Sequence, residues 1–187
     1  MRVVDTPLTG VKVLVPDVYE DHRGFFMESY HRRRFAELGI DCEFVQDNHS
    51  RSSRGVLRGL HYQIGSPQAK LVRVTRGRVF DVVVDIRRGS PTFSRWAGVE
   101  LDDKNRLELF APEGFAHGFL VLSEVAEFQY KCSDFFSRKD ERGLPWNDST
   151  IGIQWPLEDI DPLLSDRDRG WKPLGEIEDV DLPVYRS

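Results

Sequence analysis

Short apolar runs separated by turn-forming residues dominate this chain, the pattern of an all-β sandwich or barrel. Val11 to Val15 and Gly24 to Tyr30 predict strands. Phe35 and Leu38, three apart within Arg32 to Gly39, predict one short helix that Gly39 stops. Three hairpins are predicted in the middle. Leu71 to Val74 and Val79 to Ile86 flank Thr75-Arg76-Gly77-Arg78. Trp96 to Leu101 and Leu107 to Phe110 flank Asp102-Asp103-Lys104-Asn105. Phe115 to Leu122 and Val125 to Cys132 flank Ser123-Glu124. Serial hairpins build antiparallel sheets, and doubling or closing the sheet removes its exposed edges. From Asp134 the chain turns polar and rich in Trp, Pro and Gly. With no repeat and no linker, it reads as one domain over 1–187. Its core is expected at about 10–135, and a cover of loop and short helical turns over about 136–187.

Composition narrows the function. A length of 187 residues allows a sizeable core. The formal charge of −5 argues against general nucleic-acid binding, which needs a basic face. A local arginine cluster can still hold an anionic small ligand. Two cysteines, Cys42 and Cys132, are too few for a disulfide scaffold and lack metal-ligand spacing. Met1 to Gly10 has no signal-peptide pattern, and no apolar run approaches the roughly 20 residues that span a bilayer. A cytoplasmic protein with no membrane partner is expected.

Polar residues inside otherwise apolar strands carry the chemistry. His61 follows Gly55-Val56-Leu57-Arg58-Gly59-Leu60, and Lys70 opens a strand run. Asp81 and Asp85 bracket three valines. His117 lies within Gly114 to Phe119, and Tyr130 ends Ala126 to Tyr130. Buried charge is costly unless paired, so several such groups together suggest a lined cavity. Taken singly each has an ordinary reading. His61 is a structural or surface histidine, Asp81 and Asp85 face solvent, and Tyr130 is a core tyrosine with its hydroxyl at the rim. Arg58 and His61, three apart, face opposite sides of a regular strand. Both enter one cavity only if the strand is irregular at Gly59, where a glycine suits a bulge.

These residues lie in runs that resemble the dTDP-4-dehydrorhamnose 3,5-epimerases. The runs are Gly55-Val56-Leu57-Arg58-Gly59-Leu60-His61-Tyr62-Gln63, Gln68-Ala69-Lys70-Leu71-Val72 and Asp21-His22-Arg23-Gly24-Phe25-Phe26-Met27-Glu28. Gln46-Asp47-Asn48-His49-Ser50, Phe80 to Arg87 with Gly89 to Phe93, Gly114 to Phe119, and Leu164 to Asp168 complete the set in chain order. The resemblance implies a cupin-type jelly-roll barrel, a homodimer, a dTDP-sugar substrate, and no metal or organic cofactor. It implies that His61 is the general base, Asp168 its orienting carboxylate, Tyr130 the general acid and Lys70 the cation beside a ketone oxygen. It further implies substrate contacts from Arg23, Glu28, Gln46, Asp47, Asn48, Arg58, His117, Glu141 and Arg167. At Phe136 this chain departs from a stacking tyrosine of the family. The ring face is kept and the hydroxyl is lost.

The implied reaction fits those residue types. A C–H beside a carbonyl loses its proton as an enolate, so a base is needed near carbon and a cation near oxygen. Inversion needs a second proton carrier on the opposite face. The expected activity is conversion of dTDP-4-dehydro-6-deoxy-D-glucose toward dTDP-4-dehydro-L-rhamnose. Three alternatives remain at this point: action at only C3 or only C5 (or a ketosugar isomerisation), a metal-dependent cupin ligated by His61 and His117, and a sugar-binding barrel without catalysis. Against the metal reading, His61-Tyr62-Gln63 lacks a second histidine two residues on.

Overall fold

A computed structural model describes residues 1–185. The last two residues of the expected C-terminal cover, Arg186 and Ser187, lie outside the described residues. The strands are β1 (Arg2–Asp5), β2 (Lys12–Val15), β3 (Val18–Asp21), β4 (Gly24–Met27), β5 (Gln46–Ser53), β6 (Leu57–Gln63) and β7 (Lys70–Arg76). They continue with β8 (Arg78–Asp85), β9 (Trp96–Asp102), β10 (Glu108–Ala111), β11 (Phe115–Val121), β12 (Val125–Cys132) and β13 (Glu141–Gly143). Helix α1 (Arg32–Glu37) matches the expected short helix, and α2 (Asp166–Arg169) is a single turn in the C-terminal segment.

Two antiparallel sheets face each other. One has the order β1-β2-β10-β7-β12-β5, the other β13-β6-β11-β8-β9. Val72, Val74, Leu109, Ala126 and Phe128 from the first meet Val79, Val83, Leu101, Phe115 and Phe119 from the second in the central core. The all-β class and jelly-roll layering are therefore as expected. The outer face of the five-stranded sheet is also buried, because residues 144–182 lay Leu144, Ile151, Trp155 and Leu174 over Leu57, Val82, Val84 and Leu120. Helix α1 and the residues after it cover part of the six-stranded sheet through Phe35 and Ile40 against Leu14, Leu71 and Phe110.

The three expected hairpins are corners between sheets. Strand β7 pairs with β10 and β12, while β8 pairs with β9 and β11, so β7 and β8 lie in different sheets. The same holds for β9 with β10, and for β11 with β12. A turn signal records that the chain reverses; it does not record which sheet receives the next strand. The link at Gly77 makes the point, since one residue is too short for a two-residue hairpin loop. Gly77 sits at φ +78°, and a Cβ there would lie 2.0 Å from the Val125 carbonyl oxygen. At these three corners the chain crosses from one wall to the other, which lets residues near in sequence line opposite sides of the interior, whereas β8 and β9 pair within one sheet.

Glu108 is the one charged side chain of β10, on the outer face of its sheet. It is 1% exposed, and neither carboxylate oxygen has a hydrogen-bond partner among the described residues. Burial pushes its carboxyl up to about 8, against the opposing pull of Arg73 and Lys131. The folded chain therefore holds a proton that the unfolded chain releases near 4.5. The stability this group contributes is complete below pH 4.5 and is lost as pH rises toward 8. Glu108→Gln removes the titration. Its melting temperature should rise relative to the parent by a growing margin from pH 5 to pH 8, reaching several degrees. Parallel pH–stability curves for the two proteins would contradict this.

Candidate active site

Strand β6 supplies the first wall, and its backbone is irregular where the sequence requires it. On β11, His117 and Phe119 are two apart; their partners on β6, His61 and Arg58, are three apart. One extra residue is therefore accommodated on β6, at Gly59, whose φ is +118°. The two backbones approach so closely there that a Cβ on Gly59 would lie 2.6 Å from Gly118 Cα, and one on Gly118 2.6 Å from the Arg58 carbonyl oxygen. This bulge turns both Arg58 and His61 into one cavity of about 640 Å³.

The cavity is lined from both sheets. His61, Arg58 and His117 come from the five-stranded sheet; Lys70 and Tyr130 come from the six-stranded sheet; Glu141, Arg167 and Asp168 close it from the C-terminal side. A smaller annex of about 180 Å³ shares His61, Lys70, Tyr130 and Glu141 and extends to Gln46, Asn48 and Phe136. The Phe136 backbone N–H donates to Gln46 Oε1 at 2.9 Å, and Gln46 Nε2 donates to Asn48 Oδ1 at 3.1 Å. Phe136 is 50% exposed and stands beside these two amides. That is a flat apolar face next to hydrogen-bonding groups, as a nucleobase requires.

His61 Nε2–H donates to Asp168 Oδ1 at 2.5 Å. The bond fixes the tautomer and leaves Nδ1 free to accept a proton. Asp168 stands in the first turn of α2, where its own N–H donates to Ser165 Oγ at 3.1 Å. Burial pushes the Asp168 carboxyl up, but hydrogen bonds from His61, Ser165 and Trp171 outweigh it and hold the group below the usual carboxylate range. Burial pushes the Lys70 ammonium down, while Cys132, Asp81 and Glu141 pull it back up. Burial likewise pushes the Tyr130 phenol up, assisted by Cys132 and Glu141 and opposed by Arg58, so the hydroxyl keeps its proton at neutral pH. His117 Nε2–H reaches both oxygens of Asp81 at 3.0 Å. Arg167 donates to both Glu141 oxygens, at 2.8 and 2.6 Å.

Three expected substrate contacts, Asp47, Arg23 and Glu28, are absent from both the cavity and its annex. Asp47 alternates with Gln46 and Asn48 on β5, so period-2 geometry turns it to the outer face, where Lys131 pairs with it at 2.9 Å. Arg23 caps the separate β3–β4 ribbon, exposed and paired with Asp21 at 2.5 Å. Glu28 follows that ribbon and pairs with Arg34 of α1 at 2.8 Å. The solvent-facing reading of Asp81 and Asp85 is also overturned, since both are fully buried. Strand β8 is covered on both faces, so its alternation conceals the inward side. Asp85 closes the β8–β9 connection through Arg87, Ser90 and Thr92. Sequence reasoning missed Trp171, which donates to Asp168, and Cys132 and Gln68 in the annex. The polar, loop-like context of Trp171 gave no periodic signal. Among the described residues no three His, Cys, Asp or Glu side chains converge as a metal-ligand group.

A family model described as dTDP-4-dehydrorhamnose 3,5-epimerase matches residues 5–176. A dTDP-4-dehydrorhamnose 3,5-epimerase of Methanothermobacter thermautotrophicus is 53% identical over 98% of this chain and 97% of its own. The crystal structure of a dTDP-6-deoxy-D-glucose-3,5-epimerase from Legionella pneumophila, in complex with dTDP-4-keto-L-rhamnose, superposes with a TM-score of 0.97. It is 47% identical and covers 100% of this chain and 99% of that one. A 3'-monoepimerase from Streptomyces bikiniensis, in complex with dTDP-quinovose, also superposes. Its TM-score is 0.88 at 38% identity, covering 96% of this chain and 92% of that one.

The Gly59–Gly118 contact yields a direct test. Gly118→Ala should lower stability by about 1–3 kcal/mol, because the added methyl meets backbone on the facing strand. It should also shift Arg58 relative to His61 in the variant's crystal structure. An unchanged unfolding midpoint would contradict the close approach.

Proposed function

This chain belongs to the dTDP-4-dehydrorhamnose 3,5-epimerase family, and from that premise we propose that it inverts C3 and C5 of dTDP-4-dehydro-6-deoxy-D-glucose, giving dTDP-4-dehydro-L-rhamnose. The observation that carries the reading is one cavity with the aspartate-held imidazole of His61 on one sheet and the protonated phenol of Tyr130 on the facing sheet.

In this reading His61 Nδ1 takes the proton from the carbon beside the C4 ketone. Charge moves to the ketone oxygen, where Lys70 stabilises the enolate. Tyr130 then delivers a proton from the opposite side and the carbon is inverted. Exchange with solvent resets the pair, and the second flanking carbon reacts in the same way. No electrons are gained or lost, so the sequence of proton transfers needs neither metal nor organic cofactor. Asp168 fixes the His61 tautomer and offsets the charge of the imidazolium that forms.

Phe136, Gln46 and Asn48 are assigned to the base. Arg58 and His117 are assigned to the diphosphate. Arg167 joins them, already paired with Glu141, so phosphate oxygens compete with a carboxylate for its guanidinium. Arg23 and Glu28 lie off the cavity within one chain. We assign them to contacts made across a homodimer, by a ribbon whose Tyr19, Phe25 and Phe26 are all exposed. A cytoplasmic location completes the reading, and none of the described helices is long and apolar enough to cross a membrane.

The similarity to a 3'-monoepimerase keeps single-carbon inversion as the second reading, since that protein shares the fold at high coverage. Incubation with dTDP-4-dehydro-6-deoxy-D-glucose in deuterium oxide decides between them. Two carbon-bound deuteriums in the product are expected, at C3 and C5; a single one would favour the second reading. His61→Ala and Tyr130→Phe should each lower kcat at least 100-fold with dTDP affinity kept within a few-fold. Equal loss of binding and turnover would contradict the assigned roles.

A further inference from the structure

We infer that Trp171 is a positioning residue for the His61–Asp168 pair, held against Asp168 by a seat that glycine at position 143 leaves open. The inference rests on the catalytic reading of that pair given above.

Trp171 Nε1–H donates to Asp168 Oδ1 at 3.3 Å, the same oxygen that accepts from His61 Nε2–H at 2.5 Å. The indole lies on β13 at Gly143. A Cβ on Gly143 would stand 2.4 Å from indole Cε2 and 2.6 Å from Nε1, so any larger residue displaces the ring. Gly143 is itself the cross-strand partner of His61 in the β6–β13 ladder. The imidazole and indole meet edge to face, with ring centroids 6.2 Å apart and planes at 70°. His61, Asp168, Trp171 and Gly143 therefore close a ring of contacts, and the only side chain in it that bridges from the chain beyond α2 is the indole.

The ring answers a geometric need. Asp168 sits on a four-residue helix, and a carboxylate there can swing about its last torsion. Ser165 fixes its backbone, and His61 alone would fix only one direction of its side chain. A second donor on the same oxygen pins the plane of the carboxylate and takes a share of its charge. The indole N–H is one of the donors that hold the Asp168 carboxyl low; without it the carboxylate is more mobile and draws more strongly on the proton it shares with the imidazole. Among the other charged or titratable groups of the cavity, Arg167 and Glu141 are bonded to each other, His117 is bonded to Asp81, and Arg58, Lys70 and Tyr130 stand on other strands; the indole N–H donates to none of them, so its loss leaves their contacts in place. Trp171 is not among the residues lining the cavity, so it acts through Asp168 rather than on substrate.

Two variants test this by opposite routes. Trp171→Phe keeps a ring in the seat and deletes the donor; Gly143→Ala keeps the donor and takes the seat. Both are expected to lower kcat about tenfold, the scale of one hydrogen bond to a charged group, with KM within about twofold. Both should move the acidic limb of kcat/KM to higher pH. If both variants melt lower yet keep the wild-type acidic limb and per-folded-molecule kcat, Trp171 is only a packing residue and the inference is overturned. Should a variant fail to fold, the wild-type protein carries the test through its four indole N–H resonances. One is expected to move with pH along the acidic limb; four pH-independent signals would overturn the inference. Asp168→Asn and His61→Asn run alongside. Full activity in those two sinks the catalytic reading itself, whereas their inactivity beside unaltered Trp171→Phe and Gly143→Ala sinks the Trp171 inference alone.

Discussion

The contact on which the site depends is the 2.5 Å hydrogen bond from His61 to Asp168, two residues 107 apart in sequence. It joins the barrel wall to the C-terminal cover. The cover already has an apolar reason to lie where it does, since Leu144, Ile151, Trp155 and Leu174 bury the outer face of the five-stranded sheet. That burial brings α2 to the rim, and Ser165 caps it so that Asp168 turns inward. A base built this way exists only in the fully folded chain. Neither the strand nor the cover holds a working imidazole by itself.

Opposition of the two proton carriers follows from the corners. The chain changes sheet at every step from β5 to β8 and again from β9 to β13, so β6 and β12 lie in opposite sheets and line one cavity. His61 and Tyr130 thereby reach one cavity from opposite walls, which one hairpin ribbon cannot provide. Lys70 opens β7 next to β12 and lines the same space. Burial keeps the phenol protonated and weakens the hold of Lys70 on its own proton. The same low-polarity surroundings strengthen whatever charge interaction the lysine makes with a developing enolate.

Much of this was legible in the residues. The all-β class followed from short apolar runs and turn chemistry, and the irregularity at Gly59 followed from the three-residue spacing of Arg58 and His61. The convergence of His61, Lys70, Tyr130 and Asp168 was implied by the family resemblance and could not be read from spacing. Pairing was misread because Gly77 and Ser123-Glu124 mark reversals without naming a sheet. Strand β5 went unnoticed because its run Gln46 to Ser53 is polar, as an edge strand can be. Asp81 was misread because Val82 and Val84 are buried under the cover, so both faces of β8 look apolar. Asp47 was carried over with its neighbours although alternation alone sends it outward. Trp171 was invisible, since its meaning lies in Gly143, twenty-eight positions earlier and on a different element.

The central claim is that removal and return of the proton belong to different walls. Solvent-deuterium exchange into unreacted substrate, followed by NMR, separates the two half-reactions. With Tyr130→Phe, the base should still take a proton and return one to the same face, so deuterium enters the recovered substrate while inversion nearly stops. With His61→Asn, neither exchange nor inversion should occur. Exchange that persists without the imidazole, or that vanishes with the phenol alone, would contradict the account.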